Sequence, residues 1–113
     1  MAETCLFCRI ASGELPAAII ASNLRCIAFR DIGPQAPIHV LVIPRAHVVS
    51  LNEVTDWSLV SEMTSLAREV ARDEGIDEAG YRVVINTNAN GGQTVFHVHL
   101  HLLGGRALAW PPG

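Results

Sequence analysis

Apolar positions recur at helical spacing over one long stretch, from about Asp56 to Glu74, where Leu59, Val60, Met63, Leu66, Ala67 and Val70 form a single stripe. Its ends carry matching signals. Thr55 or Asp56 can accept from the first-turn N–H groups, Val54 and Leu59 stand where a hydrophobic staple forms, and Gly75 can take the left-handed conformation that stops a helix. A shorter helix is predicted from Leu6 to Ala11, closed by Ser12-Gly13 and Pro16. The other apolar runs read as strands: Ala18 to Ala21, Arg25 to Arg30, His39 to Ile43, Tyr81 to Asn86 and Val95 to Leu103. Asn23, Gly33-Pro34, Asp77 to Gly80 and Asn88 to Gly92 separate them. Strands in groups around one long helix predict an α+β domain with a five-stranded antiparallel sheet, because a parallel sheet needs a helix between most strands.

Composition narrows the picture. At 113 residues and 50% hydrophobic, the chain has room for a real core and for one domain, expected to span residues 1–113. Only 17% of residues are charged, against about a quarter in ordinary domains, so some apolar surface is expected to be covered by a partner. A net charge of −3 with no basic run excludes a general nucleic-acid binder. Met1-Ala2-Glu3 has no basic leader character and no apolar run approaches the ~18 residues of a membrane span, so the expected location is cytoplasmic with no membrane partner. Three cysteines do not make a disulfide framework. Cys5-Leu6-Phe7-Cys8 reads first as a metal or redox pair, and Cys26 as a buried small hydrophobe.

The most informative segment is Gln93-Thr94-Val95-Phe96-His97-Val98-His99-Leu100-His101-Leu102-Leu103. On a strand, His97, His99 and His101 share one face while Val98, Leu100 and Leu102 point into the core. Such a row serves two chemistries. A neutral imidazole whose second nitrogen is held by a carbonyl can act as a nucleophile, with a neighbour on the same face contacting the same substrate group. Alternating histidines are equally suited to metal ligation, which would make a metalloenzyme with three His ligands. Asn90-Gly91-Gly92-Gln93-Thr94, just upstream, brings two glycines, a carboxamide and a hydroxyl to the entrance of the row, which suits an anion. Asn86 is either a further donor or a turn cap, and His39 either supports the row through hydrogen bonds or is a strand-end polar residue.

The run His97 to Leu103 matches the His-φ-His-φ-His-φ-φ signature (φ, apolar) of the histidine triad, or HIT, superfamily of nucleotide hydrolases and transferases. Phe29-Arg30-Asp31-Ile32, Pro34-Gln35-Ala36-Pro37, His39 to Pro44, Gly91 to Thr94 and the tail Trp110-Pro111-Pro112-Gly113 extend the resemblance over nearly the whole chain. These segments resemble the Hint branch, the histidine triad nucleotide-binding proteins, more than the dinucleoside polyphosphate hydrolases or the galactose-1-phosphate uridylyltransferases.

The resemblance implies a purine nucleoside 5′-phosphoramidase acting on adenosine or guanosine conjugates through a covalent nucleotidyl-histidine, with no cofactor required for catalysis. His99 matches the nucleophile, His101 the residue on the phosphate and leaving group, and His97 the residue whose carbonyl orients His99. Asp31 matches the acid that takes the ribose hydroxyls, with Phe29 and Ile32 along the base. Asn86, Gly92, Gln93 and Thr94 match the phosphate-contacting set. Physical reasoning leaves Asp31 two roles, since a carboxylate can accept from both ribose hydroxyls or can cap the turn that follows it. Arg30 stands where animal members often have His. In some bacterial members the Cys-x-x-Cys pair joins two histidines around zinc, which implies a structural site of Cys5, Cys8, His47 and His97. The branch also implies a homodimer whose sheet continues across the two-fold axis, with the Trp110 tail over the interface. Two other functions stay open: a regulatory nucleotide- or partner-binding module with incidental hydrolysis, and a dinucleoside polyphosphate hydrolase.

Overall fold

In the computed structural model, which describes residues 4–113, the continuous apolar run of β3 (Ile38–Pro44) forms the middle of the sheet and is buried on both faces. Met1 to Glu3, on which the reading of the leader rested, lie outside the described residues. Around β3 stand β2 (Cys26–Arg30) and β1 (Ile19–Ser22) on one side, and β5 (Leu100–Gly104) and β4 (Tyr81–Val84) on the other. The order is β1-β2-β3-β5-β4 and every neighbouring pair is antiparallel, as expected.

Alternation along the strands sorts the core into two layers. Ala28, Val40, Val42, Leu100 and Leu102 face the long helix α2 (Ser58–Asp73), which covers them with Leu59, Met63, Leu66, Ala67, Val70 and Ala71. Ile27, Phe29, Leu41 and Ile43 face the other way and pack under the short helix α1 (Leu6–Ala11), through Phe7 and Ile10. His39 on β3 and His101 on β5 lie on this second face, diagonal neighbours across the Leu41–His101 pair. The ends of α2 follow the predicted signals. Asp56 accepts from the Ser58 N–H at 3.1 Å, and Gly75 takes φ +73° just past the last turn. Among the described residues no helix is long and apolar enough to cross a membrane.

Three expectations are corrected. The histidine segment is not one strand from Val95: β5 begins at Leu100, and His97 and His99 precede it. The β3–β5 ladder stops at Val42–Leu100 because β3 ends in Pro44, which has no N–H to give, and because the segment finds other partners there. The Val98 N–H bonds to the Val48 carbonyl, and both histidine rings bond to backbone carbonyls. β4 likewise ends at Val84, two residues short of Asn86. Where a plain turn was expected, Asn88–Gly91 forms a single helical turn, α3. The Gln93 carboxamide oxygen accepts from the Asn88 N–H, and Gly92 ends the turn at φ +83°.

Candidate active site

Three imidazole hydrogen-bond systems meet on the face of the sheet opposite α2. The first is His99. Its Nδ1 lies 2.7 Å from the His97 carbonyl, which can only accept, so Nδ1 carries the proton and Nε2 keeps its lone pair. Burial depresses the basicity of His99, opposed by the bond to His97, so the ring is neutral at neutral pH. Phe7 meets it edge-on, with ring centroids 5.0 Å apart.

The second system sets the tautomer of His101. The Gln35 N–H donates to His39 Nδ1 at 3.0 Å, which forces the His39 proton onto Nε2. That proton points to His101 Nδ1 at 2.9 Å, and Asp31 Oδ2 lies 3.4 Å from the same His39 Nε2. His101 is thereby left with Nδ1 as acceptor and Nε2–H as donor. Burial first, then His99 and His39, push His101 down to about 4. Asp31, His39 and His101 lie close enough to ligate an ion, but the single His39 proton already joins the three groups. Of the two readings of His39, support of the histidine row is the observed one. Asp31 closes the turn, its Oδ1 accepting from the Gly33 N–H at 2.8 Å, and the residue also lines the cavity.

The third system is the cysteine cluster. Cys5 Sγ and Cys8 Sγ each lie 3.4 Å from His97 Nδ1, and Cys8 Sγ lies 3.2 Å from His47 Nδ1. The four ligand atoms fall within 4.8 Å of one another. His97 Nε2 donates to the Pro44 carbonyl at 2.8 Å, so its Nδ1 lone pair faces the sulfurs, and the Cys8 N–H donates to Cys5 Sγ. Desolvation by burial, then the neighbouring Cys5, push the Cys8 thiol up to about 11, and a cation at the centre would hold that sulfur as thiolate. Two sulfurs, the His97 Nδ1 lone pair oriented by the Pro44 carbonyl, and the His47 imidazole fit a tetrahedral zinc shell with no open position.

His99, His101, Phe29, Asp31, Ile32 and Thr94 line one cavity of 640 Å³, within the roughly 300–1,000 Å³ of small-molecule sites. Its other wall was not foreseen: α1 and the segment after it contribute Leu6, Phe7, Ile10, Leu15 and Ala17. The position of Leu6 and Phe7 between two metal-type cysteines was the signal in the sequence. Asn86, Gly92 and Gln93 are not part of this lining. The N–H groups of Gly92 and Gln93 donate within the α3 turn, and the Gln93 carboxamide bonds to the carbonyls of Val49 and Val95. Arg30 turns its guanidinium to Glu74 at the end of α2. Among the described residues no buried side-chain nitrogen or oxygen lacks a partner.

Comparison with known proteins agrees with this geometry. The HIT domain model matches residues 12–108. The chain is 49% identical to an uncharacterized HIT-like protein of Synechococcus elongatus over the full length of both. It is 44% identical to the purine nucleoside phosphoramidase of Escherichia coli, covering 96% of this chain and 92% of that protein. Among solved structures it superimposes on a HIT family hydrolase from Legionella pneumophila with a TM-score of 0.93 and 50% identity, covering 96% of this chain and 99% of that one.

Proposed function

Because the chain belongs to the HIT family, we propose that it hydrolyses purine nucleoside 5′-phosphoramidates through a nucleotidyl intermediate on His99. One observation carries the reading: the His97 carbonyl holds the proton on His99 Nδ1 and leaves Nε2 as a lone-pair nucleophile in a cavity that also contains Asp31, Thr94 and His101. The Nε2 lone pair attacks the α-phosphorus and forms a P–N bond as the bond to the substrate amine breaks. The departing nitrogen takes a solvent proton and leaves as neutral amine. His101, with Nε2–H as donor, hydrogen-bonds a phosphoryl oxygen where negative charge develops. Water then attacks phosphorus and gives one proton back to solvent, the electron pair of the P–N bond returns to His99 Nε2, and the 5′-monophosphate is released.

Asp31 is read as the acceptor for the ribose hydroxyls, with Phe29 and Ile32 beside the base and Thr94 at the phosphate. Gly92 and Gln93 act in this reading by holding the loop that presents Thr94. The apolar character of Leu6, Phe7, Ile10, Leu15 and Ala17 suits a purine ring. Arg30 lines the same cavity and pairs with Glu74. Cys5, Cys8, His47 and His97 would hold zinc, which supplies a structural crosslink and takes no part in the reaction.

The reading is tested with adenosine and guanosine phosphoramidates set against dinucleoside polyphosphates. The expected results are preference for the former and a nucleotide covalently trapped on His99 after rapid quench. His99→Ala should bind AMP and turn nothing over. Substantial turnover by that variant, or a preference for dinucleoside polyphosphates, overturns it.

Homodimerisation belongs to the same reading. β4 is an edge strand whose Tyr81 and Val83 lie exposed beside Trp57, along a groove of 580 Å³ shared with α2. The tail is anchored to this edge, with the Arg82 guanidinium donating to the Ala109 carbonyl at 2.9 Å and standing over the Trp110 ring. Pairing of two β4 edges would continue the sheet and cover this surface. Light scattering at micromolar concentration should give a dimer mass, and Val83→Arg a monomer; a monomeric wild type rejects the arrangement.

A further inference from the structure

The stretch Cys5-Leu6-Phe7-Cys8 faces two sites at once. Its two cysteines turn to His47 and His97, while the two residues between them line the cavity of His99. Neither cysteine touches that cavity. The helix they begin, α1, has six residues and is capped by a sulfur, Cys5 Sγ accepting from the Cys8 N–H. Isolated helices shorter than about 12–15 residues are marginal in water, so the placement of this wall depends on what grips its first turn. The cysteine cluster is such a grip.

Two connections run from the cluster to the nucleophile. Through Phe7, the short helix sets an aromatic edge against the His99 ring and packs on Phe29 at 5.7 Å. Through His97, the cluster fixes a residue whose Nδ1 faces the sulfurs, whose Nε2–H grips Pro44 and whose carbonyl holds His99. A change in how His97 is held is therefore felt at both the backbone and the ring that orient His99.

We propose that metal occupancy of the Cys5–Cys8–His47–His97 cluster and nucleotide occupancy of the His99 cavity are thermodynamically coupled, with Leu6, Phe7 and the His97 carbonyl as the link. Cys5 and Cys8 are thus positioning residues for the cavity and the nucleophile. The inference rests on the reading of the cavity as a nucleotide site. Linkage requires reciprocity: if metal tightens nucleotide binding by some factor, nucleotide tightens metal retention by the same factor.

The test starts from full-length protein carrying one equivalent of zinc. Equilibrium transfer of zinc to a chromophoric chelator is measured with and without saturating AMP, and AMP affinity by calorimetry with and without zinc. AMP should strengthen zinc retention by at least about fivefold, and zinc removal should weaken AMP binding by the same factor. Cys8→Ser, which removes no cavity contact, should weaken AMP binding likewise. Equal zinc transfer with and without AMP, in protein that binds AMP, overturns the proposal, as does failure to bind zinc. The chelator measurement keeps its force even where the stripped protein or Cys8→Ser does not fold. If the zinc-loaded protein binds no AMP, the nucleotide reading fails on its own. Hydrogen exchange over residues 6–11 and the His99 Nδ1–H resonance then decide the link. A zinc-dependent change in both upholds the positioning of the cavity wall and of His99 by Cys5 and Cys8, and any other result overturns it.

Discussion

His39 and His101 share one proton at an Nε2–Nδ1 distance of 2.9 Å, and the Gln35 amide, by donating to His39 Nδ1, decides which ring carries it. A main-chain N–H cannot be anything but a donor, so the chain of tautomers has a fixed start and ends with His101 Nε2–H as a donor.

His39→Leu removes the donor to His101 and should lower kcat by roughly 10²-fold, at the low end of what positioned proton donors contribute. AMP affinity should change far less. His39→Gln, whose amide can still donate to His101 Nδ1, should recover part of the loss. Steady-state kinetics with AMP titrations check this; equal kcat for the two variants would reject the tautomer argument.

His101 also makes stability depend on pH. Its folded value, about 4, lies below the unfolded value near 6.5, so between the two the unfolded chain binds a proton that the folded chain refuses. This contribution to stability is fully present above about 6.5 and is lost as pH falls towards 4. Urea unfolding should show the free energy dropping across that window, and His101→Gln should flatten the slope. An unchanged slope in the variant would contradict the assignment.

Two glycines with positive φ separate strain from collision. Gly75 at φ +73° has open space where a Cβ would go, whereas at Gly105, φ +88°, a Cβ would stand 2.9 Å from the rigid Pro37 ring. Gly75→Ala should cost about 1 kcal/mol and Gly105→Ala about 2–3 kcal/mol. Thermal unfolding gives the order; the reverse order would show that Pro37 yields.

Of the three cysteines, Cys26 is fully buried and is pushed up to about 11 by burial and then by Glu62. In folded protein treated with chelator, a thiol reagent should label the partly exposed Cys5 and Cys8 without unfolding, Cys8 slowly because its thiol is pushed up to about 11, and Cys26 only on unfolding. Labelling of all three without unfolding would mean that the layer between β2 and α2 opens readily.

The antiparallel α+β architecture was legible because its signals are local. The stripe of α2, the buried run of β3 and the alternation Val98-Leu100-Leu102 each follow from the spacing of side chains along one element. The same alternation put the histidines on the face opposite α2 even though His97 and His99 lie outside β5. The strand limit was not legible, because it depends on Pro44, which lies 53 residues before His97, as that ring's hydrogen-bond partner.

By itself the sequence determined the five strands and the two longer helices, the chemistry of the histidine row and the metal-type spacing of Cys5 and Cys8, since each is a property of neighbours in the chain. Only the tertiary structure decided which distant groups meet. Cys5 reaches His97 across 92 positions and His39 reaches His101 across 62, through β-strand register and loop closures that no local pattern encodes. Tautomer and lone-pair direction depend on those meetings, because the partner of one ring nitrogen decides what the other can do.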